Sequence, residues 1–579
     1  MKSLLSLLLL LTFTLSASAR PESRLERHPD GSATLVVDGN PYIIIGGETG
    51  NSMASCPADI DRCMTDALAH GYNTVLIPVS WELIEPDKGR YDFSSVDSII
   101  SAARARNLRV VPLWFGAWKN SMSCYAPAWF KRDTATYPRA VTQSGRRLEI
   151  ASAFSPAVYE ADADAFRALL HHIAETDADG TVIMLQIENE IGMLEDARDH
   201  SPLAQAEYDK GVPSSLMSYL KKHKSSLHPS LLKKWRDAGF RTSGLWAEVF
   251  GDDIYTDELF QAYCYALYVE RLAREARKIF PTMPLYVNAA MNSRGRQPGQ
   301  YPSGGPLAHL KDMWHAGSPT VDILAPDLYD GDIASWLAAY ALADNPLFVP
   351  EIKATPANAA QACYAVGEHH AIGLSPFAYN LRPAADHAYQ REGNLCLSSL
   401  TPLLSRPAAK GHGKFTRTPS AGLYFTPDST TRTIIHDGLR IRASHYFTLP
   451  WDPRATDGSP WPETGGIILQ LAPMDYIVAG SGIVLTFDPA DSESDTTPSA
   501  ALGEDGFLLT GSASTSSAVA GQHSARKRIG LASVEEVSVN PDGSLSRLRT
   551  LNGDETHQGR HVRIGVDEFK ILHVTLYPY

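Results

Sequence analysis

Eight short apolar segments, spaced by helical patterns between about residues 40 and 380, limit the possible folds more than any other feature of this chain. They are residues 42–46, 74–79, 109–114, 182–187, 284–287, 322–325, 347–349 and 373–377. Each has the Val/Ile/Leu density of a strand buried on both faces. The intervening stretches have helical periodicity. Val96, Ile99, Ile100 and Ala103 recur at i, i+3, i+4 and i+7, and Phe166, Leu169, Leu170 and Ile173 repeat the spacing. Ser94 with Asp97 predicts a capping box, with Asp in place of Glu. Eight such units predict a (β/α)8 TIM barrel with inserted loops. The competing fold is a doubly wound open sheet, but no G-x-G-x-x-G follows the first segment.

The chain of 579 residues is too long for that barrel alone. Residues 1–19 form a leader: Lys2, an apolar stretch from Leu4 to Leu15, and Ala17-Ser18-Ala19 as the cleavage site. No cysteine adjoins the cut, so the expected mature chain starts at Arg20 without a lipid anchor, periplasmic or secreted. The barrel is assigned to residues 20–400. An insertion over about 193–282 carries Lys221-Lys222-His223-Lys224, expected as a solvated helix face, and a helix from about 256 to 279. After residue 400 helical periodicity fades and strand-like runs appear at 422–425, 433–435, 466–471, 483–487 and 571–577. A C-terminal β-sandwich over 415–579 is predicted, with a long Ser/Thr/Ala/Gly-rich loop at 489–524.

A net charge of −13 disfavours nucleic acid as a partner. No stretch after the leader is long and apolar enough for a membrane span. Six cysteines make no disulfide scaffold, although Cys56, Cys63 and Cys124 could include a pair. No zinc spacing accompanies Glu368-His369-His370, and no nucleophile elbow or P-loop occurs, so neither a metal nor a cofactor is expected.

Chemistry in a (β/α)8 barrel sits at the C-terminal ends of the strands. The fourth segment runs into Glu188-Asn189-Glu190 and the seventh into Pro350-Glu351. A carboxylate at the end of a buried strand must face the mouth, because the apolar wall cannot satisfy it. Two carboxyls across a barrel mouth suit retaining glycoside hydrolysis, one as nucleophile and one as acid/base. Asn189 is placed to bond a sugar 2-hydroxyl. Glu188 competes with Glu190 as the acid, since in an extended strand both share a face. Glu190 is preferred because it lies nearer the mouth. Glu48 and Asn288, near the ends of the first and fifth strands, are candidate hydroxyl ligands. Trp81, Trp114, Trp118 and Trp129 are candidate stacking platforms, with core packing the alternative. Glu248, Trp246 and the loop 298–305 are further candidates for the pocket wall.

Gln186-Ile187-Glu188-Asn189-Glu190-Ile191-Gly192 resembles the acid/base motif of glycoside hydrolase family 35, the β-galactosidases. Tyr72-Asn73-Thr74-Val75, then Trp81-Glu82-Leu83-Ile84-Glu85-Pro86 and Gly89-Arg90-Tyr91-Asp92-Phe93, resemble the second strand and following loop of families 35 and 42. Ala126-Pro127-Ala128-Trp129-Phe130 resembles a later element of the same barrels. The resemblance covers about residues 35–380. It implies Glu190 as acid/base, Glu351 as nucleophile, Asn189 as the preceding amide and Tyr329 as the tyrosine that holds the nucleophile. It also implies an oligosaccharide or polysaccharide substrate. Family members carry Pro-Tyr-x-x-x-Glu-Trp after the third strand, whereas Trp118, Lys119 and Asn120 occupy that region here. The expected activity is retaining β-glycoside hydrolysis, β-galactoside first. The alternatives are β-glucoside, β-mannoside or α-L-arabinopyranoside specificity, or a carbohydrate-binding barrel without turnover. A homo-oligomer is compatible with the sequence.

Overall fold

The computed structural model describes residues 22–292, 295–329, 331–381, 387–405, 417–491, 500–502, 508–510 and 528–579. The predicted leader at 1–19 and most of the predicted loop at 489–524 lie outside these residues.

Eight parallel strands close into a barrel: β1 (Ile44–Glu48), β2 (Thr74–Ser80), β3 (Arg109–Lys119), β4 (Leu185–Asn189), β5 (Leu285–Ala290), β6 (Ile323–Leu328), β7 (Val349–Ile352) and β8 (Gly373–Pro376). Each predicted apolar segment overlaps one of them, and the open-sheet alternative is excluded because β8 pairs back onto β1. Alternation along the strands separates two cores. Ile44, Leu76, Val111, Leu113, Phe115, Met184, Tyr286, Ile323 and Ala325 fill the barrel interior. Ile45, Val75, Ile77, Val110, Trp114, Leu185, Ile187, Val287 and Leu324 pack outward with the helices. Leu35 and Val37, from a small antiparallel sheet of Ser23–Arg27, Ala33–Val37 and Asn40–Tyr42, join the interior cluster.

The helical periodicities hold. Val96, Ile99, Ile100 and Ala103 are the buried residues of helix Ser94–Arg104, and Phe166, Leu169, Leu170 and Ile173 are buried in helix Pro156–Thr176. The predicted capping box does not form. Ser94 is already helical, the cap position is Phe93, and the Ser94 N–H donates to Asp92 Oδ1 at 2.9 Å. Serine before proline starts two other helices: Ser155 and Ser201 accept from Val158 N and Ala204 N. The insertion folds as five helices, ending in Ile254–Ile279, and Lys221 and Lys222 are exposed.

The described C-terminal residues form two large antiparallel sheets and a two-stranded one, Ala500–Leu502 with Leu508–Thr510. Six strands run in the order Ser420–Phe425, Thr464–Ala472, Asp475–Ser481, Lys570–Pro578, Ile529–Val539, Leu545–Thr550. Four run Thr431–His436, Leu439–His445, Ile483–Pro489, Val562–Ile564. Their facing residues, among them Leu423, Ile441, Val478, Leu485 and Val574, make one sandwich core. The sandwich docks on the barrel through helix Asn358–His369. A Cβ on Gly422 would lie 2.5 Å from Tyr364 O, so this close helix–sheet approach requires glycine. Arg432 pairs with Glu368 across the junction at 2.7 Å. That ion pair puts the Glu368-His369-His370 cluster at the sandwich junction. All six cysteines are free thiols, so the disulfide considered among Cys56, Cys63 and Cys124 is absent. Among the described residues no helix is long and apolar enough to cross a membrane.

Candidate active site

Strand alternation carries polar side chains into the upper interior. Glu48 is in phase with Ile44, Asn288 with Tyr286, and Asp327 with Ile323 and Ala325. Glu351 gets there differently. Phe348 belongs to the interior cluster and Val349 to the outer one, so regular alternation would aim Glu351 at the helices. A register shift between Val349 and Ile352 breaks that phase, and Tyr329 donates its phenolic hydrogen bond to Glu351 Oε1. Tyr329 is itself 47% exposed, so it closes the outer edge of the group.

Glu190 is held from three sides. Its N–H donates to Asn288 Oδ1 at 3.0 Å, Asn120 Nδ2 donates to its Oε2, and its side chain contacts Asp327. Asn288 Nδ2 in turn donates to Asp327 Oδ2 at 2.7 Å. Lys119 Nζ donates to Asn189 Oδ1 at 2.9 Å. Asn120, Ser121, Glu188 and Glu190 all adopt left-handed backbone, a concentration of strain at one corner of the mouth.

Among the described residues, four carboxyls, Glu48, Glu190, Asp327 and Glu351, therefore meet one ammonium, Lys119. They cannot all ionise in an enclosed site. Burial first, then the charge of Glu351, pushes Glu190 up to about 7, against the opposing pull of Lys119 and the Asp327 contact. Burial and the neighbouring carboxylates push Glu48 and Asp327 well above the usual carboxylate range. Several buried polar atoms in this group find no hydrogen-bond partner among the described residues: both oxygens of Glu48, Asn189 Nδ2, Asp327 Oδ1, Glu351 Oε2, both amide atoms of Gln186 and the Tyr286 hydroxyl. Orphaned buried polar atoms are rare, and here they converge on one place.

The structure thus brings together Glu190, Glu351, Asn189, Tyr329, Glu48, Lys119, Asn120 and Asn288. Asp327 and Gln186 were missed in the sequence, although their phase with Ala325 and Met184 marks them as inward-facing. The tryptophans go elsewhere. Trp81 is fully buried against Trp129 and Phe130 and donates to Glu85. Trp114 points outward onto Phe166 and Asp162. Trp118 is enclosed by Tyr265 and Tyr268. Half-buried Trp129 packs on Tyr137. Trp81, Trp114 and Trp118 belong to the wall and leave no face for a sugar, whereas Trp129 keeps part of its surface exposed. Trp246 is buried against Phe260, and Glu248 bonds the N–H of Leu245 at the start of its own short helix. The loop 298–305 packs on the residues after Glu190: Ser303 pairs with Met193, and Pro302 abuts Gly192.

Glu188 does not share the face of Glu190. Its positive φ of 59° interrupts the extended strand, and its carboxyl turns outward to Asp162 on helix Pro156–Thr176. That leaves Glu190 as the fourth-strand carboxyl that feels the charge of Glu351. Residues 34–230 match the family model described as glycosyl hydrolases family 35. The family 35 segment includes Glu48, Lys119, Asn189 and Glu190, whereas Asn288, Asp327, Tyr329 and Glu351 lie beyond it.

Residues 396–563 match a second model, described as a domain of unknown function (DUF5597). A β-galactosidase of Xanthomonas manihotis is 32% identical over 197 residues, which are 33% of this chain and 30% of that protein. The chain thus matches less than a third of that relative's length. Among solved structures, the β-galactosidase of Bacillus circulans sp. alkalophilus has a TM-score of 0.43 at 16% identity, covering 62% of this chain and 56% of that one. That of Rahnella sp. R3 has a TM-score of 0.42 at 16% identity, with the same coverages. The strand pairing described above, and not these distant likenesses, defines the fold.

Proposed function

We propose that this chain is a retaining β-glycosidase of β-galactosidase type. The observation that carries the reading is the convergence of unpartnered buried polar atoms around Glu190 and Glu351. A polyhydroxylated ring offers hydrogen-bond partners to such atoms, while an apolar ligand offers none. Glu351 attacks the anomeric carbon through Oε2, the oxygen left free by Tyr329. Glu190, protonated near neutrality because of burial and the charge of Glu351, donates its proton to the leaving oxygen. Once Glu351 is esterified its negative charge is gone, so Glu190 ionises more readily and serves as base toward water. Asn189 Nδ2 is free to bind the 2-hydroxyl, and Glu48 and Gln186 are free to bind other hydroxyls.

Lys119 and Asn120, standing where family 35 members carry a sugar-reading glutamate, favour a second reading: the same chemistry on another β-glycoside or on an α-L-arabinopyranoside. In either reading the leader at 1–19 sends the mature enzyme to the periplasm or the exterior, where oligosaccharide or polysaccharide chains are its substrate. Hydrolysis of a panel of aryl glycosides by the mature protein, with Glu351→Gln beside it, tests the proposal. Galactoside turnover lost in the variant supports it, and turnover of another sugar selects the second reading. Activity that survives in Glu351→Gln refutes the nucleophile assignment.

A further inference from the structure

The mechanism above leaves one buried acidic pair unused. Glu188 and Asp162 are both fully buried and in hydrogen-bonding contact, on the helix side of the barrel wall. Glu188 Oε2 accepts the Trp118 N–H at 2.8 Å, and its Oε1 accepts the Ala117 N–H at 3.4 Å. Asp162 accepts from Trp114 Nε1 at 2.9 Å and from the Tyr268 hydroxyl at 2.6 Å. These donors are all neutral. A Cβ on Gly116 would lie 2.6 Å from Asp162 Oδ1 and 2.8 Å from Glu188 Oε1, so only glycine leaves room for the pair.

The residues clasped by the pair form a bulge. Between the pairings Trp114↔Ile187 and Lys119↔Asn189, β3 advances five residues while β4 advances two. The bulge ends at Lys119 and Asn120, the residues that bond Asn189 and Glu190. Two carboxyls in contact, enclosed and with no cation bonded to them among the described residues, hold one proton between them, because two adjacent buried negative charges would repel at low dielectric. With that proton the pair is a closed set of hydrogen bonds. Without it, the clasp on the bulge opens.

We propose that Glu188 and Asp162 share a single proton and act as a positioning unit, fixing the β3 bulge so that Lys119 and Asn120 hold Asn189 and Glu190 in place. This inference rests on Glu190 being the proton donor proposed above, and the test separates the two.

Wild type, Glu188→Gln and Glu188→Leu are compared by steady-state kinetics across pH on the aryl glycoside that wild type turns over. Their folding is followed by thermal melting. Glutamine can donate to Asp162 and accept from Trp118, so it should keep kcat within about threefold and leave the alkaline limb of the pH profile in place. Leucine cannot, and at equal folded fraction should lose about 10²-fold in kcat, with KM little changed and the alkaline limb displaced. Equal inactivity of Glu188→Gln and Glu190→Gln would overturn the proposal, because Glu188 would then carry the transferred proton itself. A Leu variant that loses activity only in proportion to its unfolded fraction, with an unmoved limb, would reduce the pair to a structural role.

Two further readouts do not need turnover. Infrared difference spectra at about pH 8 should show a protonated-carboxyl band in wild type that Glu188→Gln lacks. Amide exchange at residues 115–120 should be slow in both, and fast in Glu188→Leu. A protein inactive on every glycoside but meeting both expectations would sink the functional reading and keep the positioning unit. Absence of the band from wild type would sink the shared proton.

Discussion

The Tyr329 hydroxyl donates to Glu351 Oε1, while Glu351 Oε2 has no protein partner. One oxygen is thereby oriented and the other left free, as a carboxylate nucleophile requires. Tyr329→Phe removes the donor without changing the ring. A hydrogen bond to a charged group is worth about 1.5–3 kcal/mol. Steady-state kinetics should therefore show kcat/KM reduced by roughly 10- to 100-fold. An unchanged value would mean that Tyr329 does not orient the nucleophile.

Replacing the two carboxyls should separate their roles. Glu351→Gln removes the nucleophile and should abolish turnover of all aryl glycosides. Glu190→Gln removes the proton donor, so the loss should be about 10²–10⁴-fold on poor leaving groups and smaller on acidic phenols. The measurement is kcat/KM against leaving-group acidity. Equal losses across the series would count against Glu190 as the acid.

Activity should fall as pH rises through about 7, because Glu190 is raised to that value and must be protonated to act. Lys119 is one of the groups that opposes this rise. In Lys119→Met the alkaline limb of the kcat/KM profile should therefore move to higher pH. A limb that moved downward would contradict the electrostatic account of the site.

Glu48 is fully buried with both oxygens unpartnered, and its folded-state affinity for a proton is raised by burial and by Glu351. A raised folded pKa gives stability that is fully present below the ordinary glutamate range and is lost as pH rises toward the raised value. Glu48→Gln should thus raise Tm by at least about 2 °C near pH 8, with a smaller change near pH 5. The same variant should lose activity, since function retains this unfavourable group. Melting curves at the two pH values, paired with an assay, check both halves.

The docking of the sandwich depends on Gly422. Gly422→Val should destabilise by about 1–3 kcal/mol through overpacking against Tyr364. Because the strain falls at the junction, calorimetry should show the unfolding of barrel and sandwich drawn apart. A single unshifted transition would show that the junction yields without cost.

Much of this molecule follows from local sequence. Eight Val/Ile/Leu-rich segments can satisfy their backbone only in a sheet covered on both faces, so they determine the strands, while the pairing of β8 with β1 closes them into a barrel. Helical periodicity determines which face of each helix is buried. Alternation along β1, β5 and β6 is enough to aim Glu48, Asn288 and Asp327 inward, because those strands stay regular. The remainder was settled by tertiary structure, wherever the backbone leaves the regular strand. A register shift in β7 turns Glu351 into the mouth, and a left-handed residue in β4 turns Glu188 out of it. The β3 bulge carries Trp118 into the wall and Asn120 onto Glu190. A single change of phase reverses the side to which a side chain points. Whether it occurs depends on partners far away in the chain, here Tyr329, Asp162 and Gly116, which only the closed barrel brings together.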